Sequence, residues 1–286
     1  MQIVTDSGMD LAPDQSAGLP IHSVPLILTL DGRSYRSGVE IQPQEFYVLL
    51  AASENFPTTS QPSPGDFAEL YQKIAATDPD ILSIHISSGL SGTLNAAKLG
   101  AQMVPEAHVT FYDSKTLSGA LGWHVEAAGR AINAGWDRDR ILELLAQVSR
   151  VTDTLYTLAT LKYLIHGGRI SHLRGLIGSL LDIKPIIGVE KQGGTYVQHG
   201  TARSLSRAIL SLADHIAKQH PAGSRLRVQI LHGHNAEGAE QLRERLDGMF
   251  DCQWLPTGAI APVLGAHTGP GLVGVVYALA DEYPAI

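Results

Sequence analysis

Residues Asp80–Val104, DILSIHISSGLSGTLNAAKLGAQMV, decide the fold. The first eight, DILSIHIS, are a short apolar run of strand length. A turn of glycines and hydroxyls follows, SSGLSGT, and opens into a helix. A buried strand that passes through a tight turn into a helix is the repeating element of an α/β sheet. The flanking sequence repeats the pattern. Upstream, MQIVTDS reads as a strand entering a polar turn, where Thr5, Asp6 and Ser7 can cap a helix. HSVPLILTL, His22 to Leu30, reads as a second strand. Pro43 to Ala52 has helical spacing, and FAELYQKIAA places Phe67, Leu70, Tyr71 and Ile74 on one helical face. Downstream, AHVTFYDSK is a strand and RDRILELLAQVSR an amphipathic helix. Strands alternating with helices predict a mostly parallel sheet with helices on its faces.

The pattern changes near residue 151. DTLYTLATL reads as a strand. KYLIHGGRISHLRGLIGSLL is helical in character but interrupted at Gly167 and Gly168. IIGVEKQGGTYVQHGTA reads as two short strands around Gln192-Gly193-Gly194, a hairpin signal. SLSRAILSLADHIAK and NAEGAEQLRERLDGMF read as helices, and RLRVQILHGH and CQWLPTG as strands. APVLGAHTGPGLVGVVYAL reads as a glycine-rich loop and a final strand. The expectation is two α/β domains, 1–150 and 151–286, the first with a mostly parallel sheet and the second with a mixed one.

The chain has 286 residues, of which 44% are hydrophobic and only 17% charged. That composition excludes a disordered chain. With 21 basic and 28 acidic residues the net charge is -7, which argues against nucleic acid as a partner. A single cysteine, Cys252, allows no internal disulfide and no cysteine-based zinc site. No apolar run is long enough to span a membrane, and MQIVTDSGMD has no signal-peptide character. A cytoplasmic location is expected.

Four clusters carry chemistry. SSGLSGTLNAA, Ser87 to Ala97, aims backbone N–H groups and the hydroxyls of Ser87, Ser88, Ser91 and Thr93 at a helix N-terminus, where an anion is favoured. Ordinary N-capping explains the same residues. GLSGT also approaches the G-x-S-x-G elbow of serine hydrolases, with Thr93 in place of the last glycine. His232, His234 or His267 would then be the base. FPTTSQPSP, Phe56 to Pro64, is a hydroxyl-rich segment that prolines keep out of a helix, with Thr58, Thr59, Ser60, Gln61 and Ser63 as neutral donors. By itself it reads as a solvated turn. AHTGPGLVG places His267 and Thr268 beside glycines, either a close-approach loop or a turn with an exposed histidine. HGHN reads as a strand-end polar cap rather than half a metal site. Arg169 in GGRIS and Arg203 in TARSLSR suit phosphate or carboxylate partners, or plain surface ion pairs. No G-x-x-x-x-G-K-[ST] nucleotide loop is present.

Taken in order, TDSGMDL, TTSQPSP at 58–64, SSGLSGT at 87–93, FYDSK at 111–115, GGRIS at 167–171, KPI at 184–186 and AHTGPG at 266–271 resemble the DegV family, along almost the whole chain. The resemblance implies a two-domain α/β fold with one long-chain fatty acid, such as palmitate, bound between the domains, and no catalytic residue, cofactor or metal. Several members are the lipid-carrying subunit of a bacterial fatty acid kinase. There, a separate kinase subunit converts the bound acid to an acyl-phosphate for phospholipid synthesis. By this resemblance Thr59 and Ser91 hold the carboxylate, with Ser60, Gly92 and Thr93 beside them and His267 in the same network. Arg169 and Arg203 face the kinase or its phosphate. Transient contact with a membrane surface is implied too. One departure is His166, where a lysine commonly precedes GGR. Apolar residues of DILSIHI and LLDIKPIIGV are candidates to line an acyl slot, and equally an ordinary core. A serine hydrolase using Ser91, or a phosphate-ligand binder using the same helix turn, are the alternatives.

Overall fold

DILSIHIS and the residues after it fold into strand, turn and helix. The computed structural model describes residues 1–173 and 183–286. Its first half contains β1 (Gln2–Asp6), α1 (Pro13–Ser16), β2 (Ile21–Val24), β3 (Ile27–Leu30), β4 (Arg33–Arg36), α2 (Pro43–Ala52), β5 (Thr58–Ser60), α3 (Pro64–Ala75), β6 (Asp80–His85), α4 (Thr93–Gln102), β7 (His108–Asp113), α5 (Ser118–Asn133) and α6 (Arg138–Val151). The second half contains β8 (Asp153–Thr157), α7 (Lys162–His166), a 3-10 turn (Arg169–Leu173), β9 (Lys184–Val189), β10 (Tyr196–Ala202), α8 (Leu205–Ile216), β11 (Arg225–His232), α9 (Ala236–Asp247), β12 (Asp251–Trp254), β13 (Gly258–Ala259), α10 (Pro262–Thr268) and β14 (Val273–Leu279).

Three sheets result among the described residues. β2-β1-β6-β7 is wholly parallel. β4-β3-β5 is a small antiparallel sheet. β10-β9-β8-β14-β11-β12 is mixed, with β13 also on β11. The expected α/β architecture of a parallel and a mixed sheet is therefore present. The β9–β10 hairpin forms around Gln192–Gly194, and its turn is held by the Glu190 carboxylate, which accepts from the N–H groups of Gln192 (2.9 Å) and Gly193 (2.8 Å).

Several local readings need correction. HSVPLILTL is two strands in two different sheets, β2 and β3. Pro25, with no N–H to give to a ladder, stands between them. TTS in FPTTSQPSP is a true strand, β5, paired with β3 so that Thr59 faces Leu28. The strand expected over DTLYTLATL ends at Thr157. AHTGPG is not all loop: Pro262–Thr268 is helical, and the chain turns at Gly269, whose φ of 67° is left-handed. Asp6 caps no helix. The helix reading over 162–181 holds for α7 and the 3-10 turn, and its remainder, like Leu180 and Leu181 of LLDIKPIIGV, lies outside the described residues.

α5 has no counterpart in the sequence reading. Thirteen of its sixteen residues are buried, including Trp123, His124 and Glu126. It lies in the largest core cluster, which joins residues of β1 and β6 to residues of β11 and β14. Gly119 lets the helix approach Leu231 and Val276 of the mixed sheet, and Gly122, nearly one turn further on, lets Leu11 and the Asp10 carbonyl approach. The Trp123 indole N–H donates to Gln229 Oε1 at 2.8 Å. The Glu126 carboxylate, 5% exposed, accepts from Arg130 (2.8 Å), Arg227 (3.2 Å) and the Gln15 amide (3.1 Å).

Candidate functional site

Ligands of parallel α/β sheets sit beyond the carboxyl ends of the strands. Here that place is the turn leaving β6. The strand end is fixed from inside by Asp6. Its Oδ2 accepts from the Ile86 N–H (2.9 Å) and pairs with His85 Nδ1 (3.0 Å). His85 Nε2 in turn meets Ser83 Oγ, which meets the Tyr71 hydroxyl, each at 2.7 Å, and all four side chains are buried. Two hydroxyls expected to face an anion are engaged elsewhere. Ser87 Oγ donates to the Gly194 carbonyl (2.8 Å), and Ser88 Oγ donates to Asp113. Lys115 Nζ reaches both Asp113 (2.9 Å) and Ser88 (3.2 Å), so FYDSK clamps the turn. Ser91, partly buried, keeps company with Thr93 Oγ1 at 2.8 Å. Among the described residues no histidine hydrogen-bonds Ser91, the contact that the base of a serine nucleophile would make.

The second wall is β5. Alternation along the strand turns Thr59 inward while Thr58 and Ser60 are exposed. Gln61 lies directly over Gly92, where a side chain would collide with it, so the two hydroxyl-bearing turns touch. The third wall is α10. Its N-terminus is tied to the first half of the chain. The Asp10 carboxylate accepts from the Ala261 N–H (2.8 Å), and Ser37 Oγ accepts from the Val263 N–H (3.2 Å). Its C-terminus carries His267, whose Nε2 lies 2.7 Å from Thr59 Oγ1. His267 is half-buried at the end of a helix rather than exposed on a turn. Burial, and then the nearby Arg169 charge, push its pKa down to about 4, so the ring is neutral at neutral pH. Its Nδ1 has no partner among the described residues and packs against Gly167.

Thr59, Ser60, Gln61, Ser91, Arg169 and His267 line one cavity of about 50 Å³. Among the described residues that line it, Arg169 supplies the only formal charge and none is a carboxylate. Its guanidinium is oriented by a 2.7 Å bond to the Gly167 carbonyl. Leu117, Tyr196, Leu264 and Thr268 belong both to this cavity and to a second one of about 30 Å³. The second is walled by carbon, with Leu158, Leu164, Ile187, Ile260 and Leu272. A cationic, hydroxyl-lined chamber thus shares a wall with an apolar one.

Of the residues singled out in the sequence, Thr93 is buried behind Ser91, and Gly92 lies under Gln61. Arg203 is exposed at the end of β10 and lines neither cavity. From DILSIHI only the last residue, Ile86, reaches the site, while Ile81, Leu82 and Ile84 are core. His232 does cap a strand end, its Nδ1 accepting from the Asn235 N–H (3.2 Å), and no group of metal-ligating side chains gathers among the described residues. Sequence reasoning missed Leu117 and Tyr196, which carry no chemical signature, and the docking role of Asp10. The carboxylate of TDSGMD was visible, but its partner lies 251 residues away.

The family model described as "Uncharacterised protein, DegV family" matches residues 1–280. A DegV domain-containing protein of Deinococcus radiodurans is 35% identical over 96% of this chain and 94% of its own. A fatty-acid-binding DegV family protein from Thermus thermophilus superposes with a TM-score of 0.88 at 31% identity, covering 97% of this chain and 99% of that one. DegV of Bacillus subtilis, a fatty acid binding protein, superposes with a TM-score of 0.86 at 26% identity, covering 97% and 98%. Fold, motif order and full-length similarity agree: this chain belongs to the DegV family.

Proposed function

We propose that this protein binds one long-chain fatty acid and presents its carboxylate to a kinase subunit, without catalysing a reaction itself. The observation that carries the reading is the shared wall between the two chambers, one fitted to an anion and one to a hydrocarbon. Burying a carboxylate is costly unless several donors meet it. Thr59 and Ser91 supply donors, and among the described residues that line the cavity no carboxylate competes. The acyl tail then lies along Leu158, Leu164 and Ile187. At about 0.8 kcal/mol per buried methylene, a tail of roughly fifteen carbons gains on the order of 10 kcal/mol before association costs. The headgroup stays ionised and is held by neutral hydroxyls that do not block a phosphoryl donor. Arg169 at the cavity and Arg203 outside it are the groups assigned to the kinase or its phosphate.

Similarity to fatty-acid-binding DegV proteins of Thermus thermophilus and Bacillus subtilis supports the lipid part of the proposal. Native mass spectrometry of protein purified from cells tests it. A co-purifying mass of a C14–C18 acid is expected. Protein that carries no such mass and takes up no palmitate in titration defeats the proposal.

A further inference from the structure

A third cavity, of about 570 Å³, shares no lining residue with either chamber above. It is an open groove, and Ser23, Val39, Gln42 and Thr257 on its walls are exposed. One layer of chain separates it from the apolar chamber. Along residues 259–261 the side chains alternate: Ala259 and Ala261 line the groove, and Ile260 between them lines the chamber. The same division recurs beside them. Ser118, on the chamber side, donates its hydroxyl to Asp10, on the groove side.

That layer is pinned at successive residues. The Ile260 N–H donates to the His232 carbonyl (3.0 Å), the Ala261 N–H to the Asp10 carboxylate (2.8 Å) and the Val263 N–H to Ser37 Oγ (3.2 Å). Backbone held in this way does not swing aside to admit a ligand. Ile260 is buried, and its neighbours on both sides are alanines that reach no further than a methyl group. The bulk of the partition is therefore the Ile260 side chain. Behind it, Met9, Leu11, Pro25 and Leu231 give the groove an apolar lining.

The two chambers meet at Leu117, Tyr196, Leu264 and Thr268, and Ile260 is not among these. It stands on the part of the apolar chamber that the headgroup does not reach. We infer that Ile260 is a specificity-determining residue, the stop that keeps the acyl chamber closed to acids longer than C18. The inference rests on the fatty-acid reading above. With Ile260 in place, a longer tail has to fold back or leave its end unburied. Without that side chain, the surplus passes into a groove whose volume lies in the range of small-molecule pockets. Each methylene that enters it raises affinity by a factor of about four.

Competition tests this. Full-length protein stripped of lipid is offered an equimolar mixture of palmitate and the C22 acid docosanoate, both carried on cyclodextrin, and native mass spectrometry reads which is bound. The wild type should hold palmitate. In Ile260→Ala the ratio of docosanoate to palmitate should rise roughly tenfold or more. Ile260→Leu, which conserves volume, should keep the wild-type ratio. A residue that only supports the core would change stability in both variants and leave the ratio alone. Palmitate uptake with equal ratios in wild type and Ile260→Ala overturns the inference, as does a wild type that holds both acids equally. Uptake of neither acid by the wild type overturns the fatty-acid reading, and this inference with it. If Ile260→Ala does not fold, Ile260→Val decides: a smaller rise in the ratio supports the stop, and an unchanged ratio rejects it.

Discussion

Thr59 Oγ1 and His267 Nε2 stand 2.7 Å apart, joining β5 to α10 across 208 residues of chain. The neutral imidazole has one proton to place. If it sits on Nε2, it is donated to Thr59, and the Thr59 hydroxyl proton is then free for an anion. Hydrogen bonds to charged groups contribute about 1.5–3 kcal/mol, so Thr59→Val should weaken palmitate binding roughly tenfold or more. Because His267 titrates at about 4, the affinity should change little between pH 6 and pH 8. Isothermal titration at both values checks this. A steep gain in affinity toward pH 6 would mean a charged ring at the site.

Asp10 sets a pH dependence of stability. Burial pushes its pKa up to about 7 against the opposing bonds from Ser118 and Ala261. A folded-state pKa above the unfolded value of 3.8 means that its contribution is full below about pH 3.8 and is lost as pH rises through 7. Asp10→Asn mimics the protonated side chain and cannot ionise. Relative to it, the wild type should lose up to roughly 1.4 kcal/mol per pH unit across that window. Urea unfolding of both proteins at pH 4.5 and pH 8 measures the difference, and parallel pH profiles would contradict it.

Gly89 and Gly92 flank Ser91 but meet different neighbours. A Cβ at Gly89 collides with the backbone carbonyl of Gly193 in the β9–β10 turn, whereas one at Gly92 collides with the end of the Gln61 side chain. A flexible side chain can swing away, and a backbone turn held by Glu190 cannot. Gly89→Ala should therefore cost about 1–3 kcal/mol, and Gly92→Ala distinctly less. Equal unfolding midpoints for the two variants would refute the contrast.

Glu126 is the buried anion between α5 and the mixed sheet. Arg227, one of its partners, also stacks over Trp123 (4.8 Å) and Tyr283 (4.5 Å). Glu126→Ala leaves that guanidinium without its carboxylate. Breaking a buried pair costs about 3–5 kcal/mol, and the partial exposure of Arg130 and Arg227 reduces this to roughly 2–3. Chemical denaturation provides the measurement, and a loss below that of a surface substitution would count against the role.

What was legible in the sequence follows from the physics of each segment. β6 and α4 were clear because strand, turn and helix signals stand next to each other. α3 and α6 were clear because one face is wet, which produces a period. α5 was invisible for the opposite reason: buried nearly all round, it mixes Ser, Gly, Trp, His and Glu with no stripe. α10 looked like loop because it is only seven residues long and ends in glycine. The site was half legible. Hydroxyl-rich turns and the arginines announce themselves by type. Their convergence depends on pairings such as Thr59 with His267, which no local pattern encodes.

The position of α5 bears on how the molecule comes apart. Proteins whose domains keep private interiors melt in stages. Here a single helix is common property: the largest interior draws on both sheets, beside smaller ones private to each half. Scanning calorimetry should trace one endotherm, and a chain severed after residue 151 should yield two fragments that hold their shape only when recombined.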